Sequence, residues 1–241
     1  MKIISITGRT KIEDIQVTKS IGGLIIALSV GILDLLNEKI SIFIERANGN
    51  NFILANKILL KDFISLSSYG VEALQSDANY PLIAICEIAK DGGIFLAEGE
   101  KIKISFDDLR STITYDLFGV EEPVPTNSLF VFEQKTIASE EFNKKIDVRG
   151  FDLASMTESP TIEDITYAFS ENGGVVKYLP FELQTMSRDL DPVQAILFGG
   201  TVLQSHSNRL MLPLFDVDSI EVNKAQGSII NFVMRTTKNA Q

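Results

Sequence analysis

Apolar and polar residues alternate along this chain in short runs, and turn residues separate the runs. KISIFIER places Ile40, Ile42 and Ile44 on one face and Ser41 and Glu45 on the other. EKIKISFDD alternates Lys101 and Lys103 with Ile102 and Ile104, and STITYDLFG spaces Ile113, Tyr115 and Leu117 in the same way. DITYAFSENG, GVVKYLPF, SIEVNK and SIINFVMRT continue the pattern. A period of two in β-branched and aromatic residues predicts half-buried antiparallel strands. Asn48-Gly49, Asp91-Gly92-Gly93, Glu98-Gly99, Asn172-Gly173-Gly174, Gly199-Gly200 and Gln226-Gly227 supply the turns. Helical stretches are short: KILLKDFISLSS, Lys57 to Ser68, and PFELQTMSRDL, where Pro180 suits a first helical turn. The strand–helix alternation of a doubly wound enzyme is missing, so the expected class is all-β.

Two stretches echo each other. ERANGNNFILANKIL, Glu45 to Leu59, and SENGGVVKYLPFEL, Ser170 to Leu183, each read as strand, Asn-Gly, strand and leucine. An offset of 125 sets Ile12 on Ile137, Val17 on Phe142, Lys19 on Lys144, Ile21 on Ile146, Ile26 on Phe151 and Leu28 on Leu153. It then sets Ile40 on Ile165, Ile42 on Tyr167 and Ile44 on Phe169, which makes about 33 residues without a gap. Further on, Ile102 and Ile104 pair with Ile220 and Val222 at an offset of 118. Ile113, Tyr115 and Leu117 pair with Ile230, Phe232 and Met234 at 117. Any two strand-rich stretches share alternation, but a match that returns over several elements predicts a structural duplication.

GVEEPVPTNS, near the midpoint, carries two prolines, which cannot donate to a sheet ladder and favour an extended connection. The expected division is residues 1–120, a linker over 121–128, and 129–241. Each half then holds roughly eight strands, the count of a jelly roll, a two-sheet sandwich. The expected fold is two tandem jelly-roll β-sandwiches with short subordinate helices.

ILDLLNEK followed by ISIFIERANG, and in the second half GFDLASM, SPTIEDITYAFSENG and VVKYLPFEL, resemble double jelly-roll major capsid proteins of tailless, icosahedral, membrane-containing bacteriophages. The corticovirus and lipid-containing Flavobacterium phage types are nearest in size. The resemblance covers nearly the whole chain and rests on pattern and turn placement, with no signature motif. It implies a homotrimer of six barrels forming a pseudo-hexagonal capsomer, then a capsid lattice above an internal membrane. It also implies minor capsid, vertex and membrane proteins as partners, a place in the virion shell after synthesis in the host cytoplasm, and a membrane-side position for MKIISITGRTK. Two similar sandwiches per chain let a trimer tile nearly hexagonal positions.

Charge and composition narrow the alternatives. A net charge of -10 without a basic block argues against direct nucleic acid binding, which needs clustered Lys and Arg. GGLIIALSVGILDLL, Gly22 to Leu36, is too short and too interrupted by Ser29 and Asp34 to span a membrane. It reads as a buried strand and a short helical turn. The single cysteine, Cys86, has no disulfide partner and reads as core packing, in keeping with a reducing compartment.

No G-x-S-x-G, H-E-x-x-H, C-x-x-C or phosphate-loop motif occurs. The only histidine, His206, sits in the polar stretch LQSHSNR and reads as solvated. The acid pairs Asp107-Asp108, Asp189 with Asp191, and Asp216 with Asp218 read as solvated turns, with structural calcium the next alternative. No catalytic, cofactor or metal residue is expected, and no enzyme activity. Trp is absent, which weakens a sugar-stacking surface. Phe106, Phe132, Phe169 and Phe232 hold inward-looking positions, whereas Phe43 falls out of phase with its isoleucine neighbours, on the face open to a partner. The competing readings are a phage tail-tube or baseplate protein and a bacterial ligand-binding β-sandwich, or a hydrolase built on one.

Overall fold

The structure is a computed structural model that describes residues 1–68, 76–170, 173–190, 196–198, 201–203 and 209–240. His206, Asn172, Asp191 and Gly199-Gly200 lie outside the described residues, and so does the side chain of Asp189. Two compact units form, Met1–Glu133 with Thr237–Gln241, and Gln134–Thr236.

In unit 1 the strands are β1 (Lys2–Ile6), β2 (Ile12–Val17), β3 (Ile21–Leu28), β4 (Lys39–Glu45), β5 (Phe52–Leu59), β6 (Leu82–Glu87), β7 (Gly93–Ile94), β8 (Lys101–Asp107), β9 (Tyr115–Glu121) and β10 (Pro125–Thr126). Helix α1 (Leu60–Ser67) follows β5, and a single 3-10 turn at Ile32–Asp34 follows β3. The sheets run β1-β9-β3-β6 and β2-β8-β4-β5. Strands 1, 9, 3 and 6 in one sheet against 2, 8, 4 and 5 in the other are the wrapped order of a jelly roll, once the two-residue β7 is set aside.

The order then repeats. Later strands are β11 (Ser128–Ile137), β12 (Asn143–Asp147), β13 (Leu153–Thr157), β14 (Ile162–Phe169), β15 (Val175–Tyr178), β16 (Ile196–Phe198), β17 (Thr201–Leu203), β18 (Arg209–Pro213), β19 (Val217–Lys224) and β20 (Ile230–Asn239). Helix α2 (Pro180–Leu190) follows β15 as α1 follows β5. Sheets β11-β20-β13-β18 and β12-β19-β14-β15 reproduce both orders of unit 1, and β16 pairs antiparallel with β17 between α2 and β18. The chain is two tandem jelly rolls, with two short helices among the described residues.

Alternation explains both sandwiches. KISIFIE and KIKISFD each bury every second residue. Ile40, Ile42 and Ile44 of β4 lie opposite Phe106, Ile104 and Ile102 of β8, all at 0–1% exposure. In unit 2, Ala154, Met156, Phe232 and Met234 from one sheet pack with Ile146, Ile165, Tyr167, Ile220 and Val222 from the other.

The ladders correct the single offset of 125. Ile21 starts β3, but Ile146 lies in β12, the counterpart of β2. In β3, Ile26 lies opposite Leu117, and in β13 it is Ala154 that lies opposite Met234. If Leu117 answers to Met234, Ile26 answers to Ala154 and not to Phe151. The matches of β4 with β14 and of Ile102 with Ile220 also cannot both hold. Ile42 faces Ile104 and Tyr167 faces Ile220, so a β4 offset of 125 pairs Ile104 with Ile220. The duplication holds by topology, with loops of different length between the strands.

The expected helix from Lys57 begins later, at Leu60. Lys57 takes φ 51° and gives its N–H to Ser41 Oγ at 2.9 Å, while Ile58 and Leu59 stay in register with Ile40 and Lys39. Residues 121–128 are tied down: Gly93 N–H donates to the Val124 carbonyl at 2.8 Å and Phe95 N–H to Thr126 at 3.1 Å. A Cβ on Gly93 would stand 2.9 Å from the Glu122 carbonyl, so only glycine allows this approach. By strand order, β9 ends at Glu121 and β11 starts at Ser128, whereas compactness keeps everything up to Glu133 in unit 1.

Candidate assembly interface

Among the described residues, none of the residue types weighed for catalysis converges. Asp107 meets Lys11 at 3.4 Å, and Asp108, in a turn at φ 56°, meets Lys39 at 2.7 Å. The Lys39 ammonium holds the Asp108 carboxyl below the usual range. Asp216 turns at φ 59°, and Asp218 accepts a hydrogen bond from Ser170 Oγ at 2.7 Å. Among the described residues, no group of three acidic, His or Cys side chains is placed to hold a metal ion. Cys86 is fully buried, and burial pushes its thiol up to about 12. Its environment is that of a core residue.

What the units present instead is surface of two kinds. On the outer face of β2-β8-β4-β5, Glu45 receives Lys103 at 2.7 Å and Lys101 at 3.1 Å, and Lys103 also reaches Asp14 at 3.0 Å. These lysines hold the Glu45 carboxyl below its ordinary range, Lys103 most. The Lys103 ammonium stands 6.0 Å from the Phe43 ring, so Phe43 does lie on this outer face. A groove of about 310 Å³ beside it is lined by Phe43, Ile53, Lys57, Lys11 and Asp107. Exposed cross-strand pairs of this kind contribute little to stability but set which charges a neighbour meets.

The second kind is apolar. In unit 2 the edge strand β15 pairs with β14 alone among the described residues, and Val175 is 67% exposed. Leu179 and Phe181, which follow it, are exposed as well. The helix start is fixed locally. Glu182 accepts the Leu179 N–H at 2.8 Å, and Pro180 occupies the first helical position. An apolar edge of this sort is a template for contact with another chain. The sequence signal was present in VVKYLPF, but its exposure was not. Phe106, Phe132 and Phe232 are buried as expected, and Phe169 packs against the unit 2 core. No described helix is long and apolar enough to cross a membrane. The N-terminal segment is the first strand of a sheet, with the Met1 ammonium bonded to the Gly119 carbonyl at 2.6 Å.

Repeated wrapped order, helices after the fifth strand of each unit and outward apolar surface define the class: a double jelly roll. No protein-family model matches the sequence, and no curated protein matches it. Among solved structures the chain is similar to the major capsid protein P2 from Bacteriophage PM2, with a TM-score of 0.59 and 9% identity over 100% of this chain and 95% of that one. It is also similar to a chain from the atomic structure of Sulfolobus Turreted Icosahedral Virus, with a TM-score of 0.51 and 9% identity over 97% and 90%. At such identity the likeness is one of fold. It agrees with the double jelly-roll resemblance drawn from the sequence.

Proposed function

We propose that this chain is a viral major capsid protein. Three copies form a pseudo-hexagonal capsomer, and capsomers tile an icosahedral shell over an internal membrane. The observation that carries the reading is the duplication of a complete jelly roll across one chain, end to end with PM2 P2. One trimer of such chains offers six barrels, and the two barrels of each chain are free to diverge toward different neighbours. The barrels are residues 1–120 and 129–241, joined over 121–128. Charge fits this role, because a shell separated from its genome by lipid needs no basic surface. Minor capsid, vertex and membrane proteins are the further partners, with the N-terminal segment on the membrane side. The place of action is the virion, after synthesis in the host cytoplasm.

Light scattering on the purified protein, with negative-stain imaging of the same peak, tests it. The expected result is a stable particle near three times 26.6 kDa with a hexagonal outline. A monodisperse monomer at high concentration would favour a ligand-binding sandwich, and six- or twelve-fold rings a tail tube.

A further inference from the structure

A glycine opens a gap in the outer face of the first sheet of unit 1. Leu24, Ile26 and Cys86 point inward and are buried. Gly23 points the other way, between Glu87 of β6 and Val120 of β9 and directly opposite both. The next row on that face is Ile85, Ile25 and Phe118. With no side chain at position 23, a groove of about 360 Å³ runs between Glu87 and Val120, and Ile85 adds to its apolar wall.

Two more carboxylates line this groove from loops. Glu122 follows the end of β9 and lies across Gly22, where a Cβ would stand 2.9 Å from its Cγ. Asp91 comes from a turn at φ 59°. Asp91 and Glu122 are exposed, Glu87 is half-buried, and Ile85 is 40% exposed. No Lys, Arg or His lines the groove. Lys19, the cation nearest in sequence to Gly22, is committed to Glu121 at 3.0 Å. In a cleft of one charge sign beside an apolar wall, the potentials add and do not cancel.

We propose that this groove is a docking site for a basic, extended segment of a partner protein. An apolar side chain of that segment rests on Val120 and Ile85, and flanking Arg or Lys side chains reach Glu87, Asp91 and Glu122. Charge complementarity selects the occupant, because an acidic rim around an apolar centre repels acidic chains and draws in cationic ones. A second copy of this chain is a poor match, since it carries a net charge of -10 and no basic block. Arginine fits best: its planar fork meets a carboxylate with two hydrogen bonds, and its stem packs along apolar side chains. The site lies wholly within unit 1 and goes beyond the capsid reading, which assigns no partner to this groove.

Fluorescence anisotropy with a short labelled peptide of alternating Arg and Val tests the site on the wild-type protein, in whatever assembly it adopts. Binding is expected at low salt and should weaken as salt rises, because exposed charges are screened. Asp91→Asn combined with Glu122→Gln should weaken it about tenfold, the size of two exposed ion pairs. Asparagine tolerates the left-handed turn at position 91, and a circular dichroism melt checks the fold. If the double variant does not fold, Glu122→Gln alone gives the same test at about threefold. Val120→Thr leaves every charge in place and should weaken the peptide as well. Glu163→Gln removes an exposed carboxylate from unit 2 and should change nothing. No binding by the wild type, or an equal loss in Glu163→Gln, overturns the proposal. Loss in the charge variants without loss in Val120→Thr also overturns it, leaving only attraction for small free cations. If the double variant instead changes the mass read by light scattering, a second copy covers the groove and the partner assignment falls.

Discussion

The two regions at the fifth strand of each unit, β5 with α1 and β15 with α2, share one plan and opposite surroundings. β5 has eight residues and buries half of them, and all eight residues of α1 are buried. β15 has four residues, of which three are exposed, and α2 exposes Phe181. Both helices follow an antiparallel strand pair at the same place in the wrap, yet they are held differently. Leu59 gives α1 no side-chain cap, and its first amide instead reaches the Glu38 carbonyl at 2.7 Å. Ser65, Ser67 and Ser68 bond back to carbonyls one turn earlier, which keeps their hydroxyls satisfied without water. α2 carries its own start signal in Pro180 and Glu182. A helix inside a core is fixed by its packing, and a helix on a surface by its ends.

Breaking each helix at its aromatic residue should separate these two modes most widely. Phe63 of α1 is 0% exposed and meets Phe132 edge-on, with ring centroids 5.0 Å apart. Phe63→Ala should destabilise unit 1 by about 3–5 kcal/mol, from lost transfer energy plus the cavity. Phe181 is 63% exposed, and Phe181→Ala should stay within about 0.5 kcal/mol. Urea titration of both variants as monomers measures the contrast, and equal costs would mean that α2 is as deeply packed as α1.

Much of this was legible in the sequence, and the limit is physical. Alternation states which face of a strand is buried, so Ile40, Ile42 and Ile44 and their partners Ile102 and Ile104 are read directly. A shift of two residues leaves alternation unchanged, and loops carry no period at all. That is why alternation pairs Ile104 with Val222 where the β4 match requires Ile220, and Ile26 with Phe151 across a loop of changed length. Pro180 marks α2 at its first residue, whereas α1 has no such marker and the sequence pattern starts it three residues early, at Lys57. The candidate interface was the least legible part. Val175 and Ile40 both lie in alternating apolar runs, and only the folded chain exposes the first at an edge and buries the second.

The next contrast is electrostatic. Unit 1 contains a half-buried pair, Arg46 with Glu100 at 2.6 Å, where Glu100 also accepts the Ala97 N–H at 3.0 Å and the Ala47 N–H at 3.3 Å. Burial opposes ionisation of Glu100, but the hydrogen bonds from Ala97, Arg46 and Ala47 outweigh it and hold the carboxyl below its ordinary value of 4.5. A depressed carboxylate adds stability that is complete above the unfolded value and is lost as pH falls through the folded one. The wild type should therefore lose stability below pH 4.5. Glu100→Gln should lower stability at neutral pH by about 1.5–3 kcal/mol, the range for hydrogen bonds to a charged group. It should also flatten the acid limb of a pH series of urea midpoints, and an unchanged acid limb would mean that Glu100 contributes nothing to it.

A third contrast has the opposite sign and concerns the matching rows of the two cores. Ile42 faces Ile104 in unit 1, and Tyr167 faces Ile220 in unit 2, where it packs edge-on to Tyr178 at 5.1 Å. Tyr167 is 2% exposed, and its hydroxyl has no hydrogen-bond partner among the described residues. Burial raises its pKa, so it stays a neutral phenol throughout the working range. A buried hydroxyl without a partner loses its water and gains nothing in exchange. Tyr167→Phe keeps the ring and its contacts and should raise the stability of unit 2 by about 1 kcal/mol. A loss of that size in the same urea titration would show that the hydroxyl is bonded. It would also make Tyr167 a designed difference between the barrels, in place of a tolerated one.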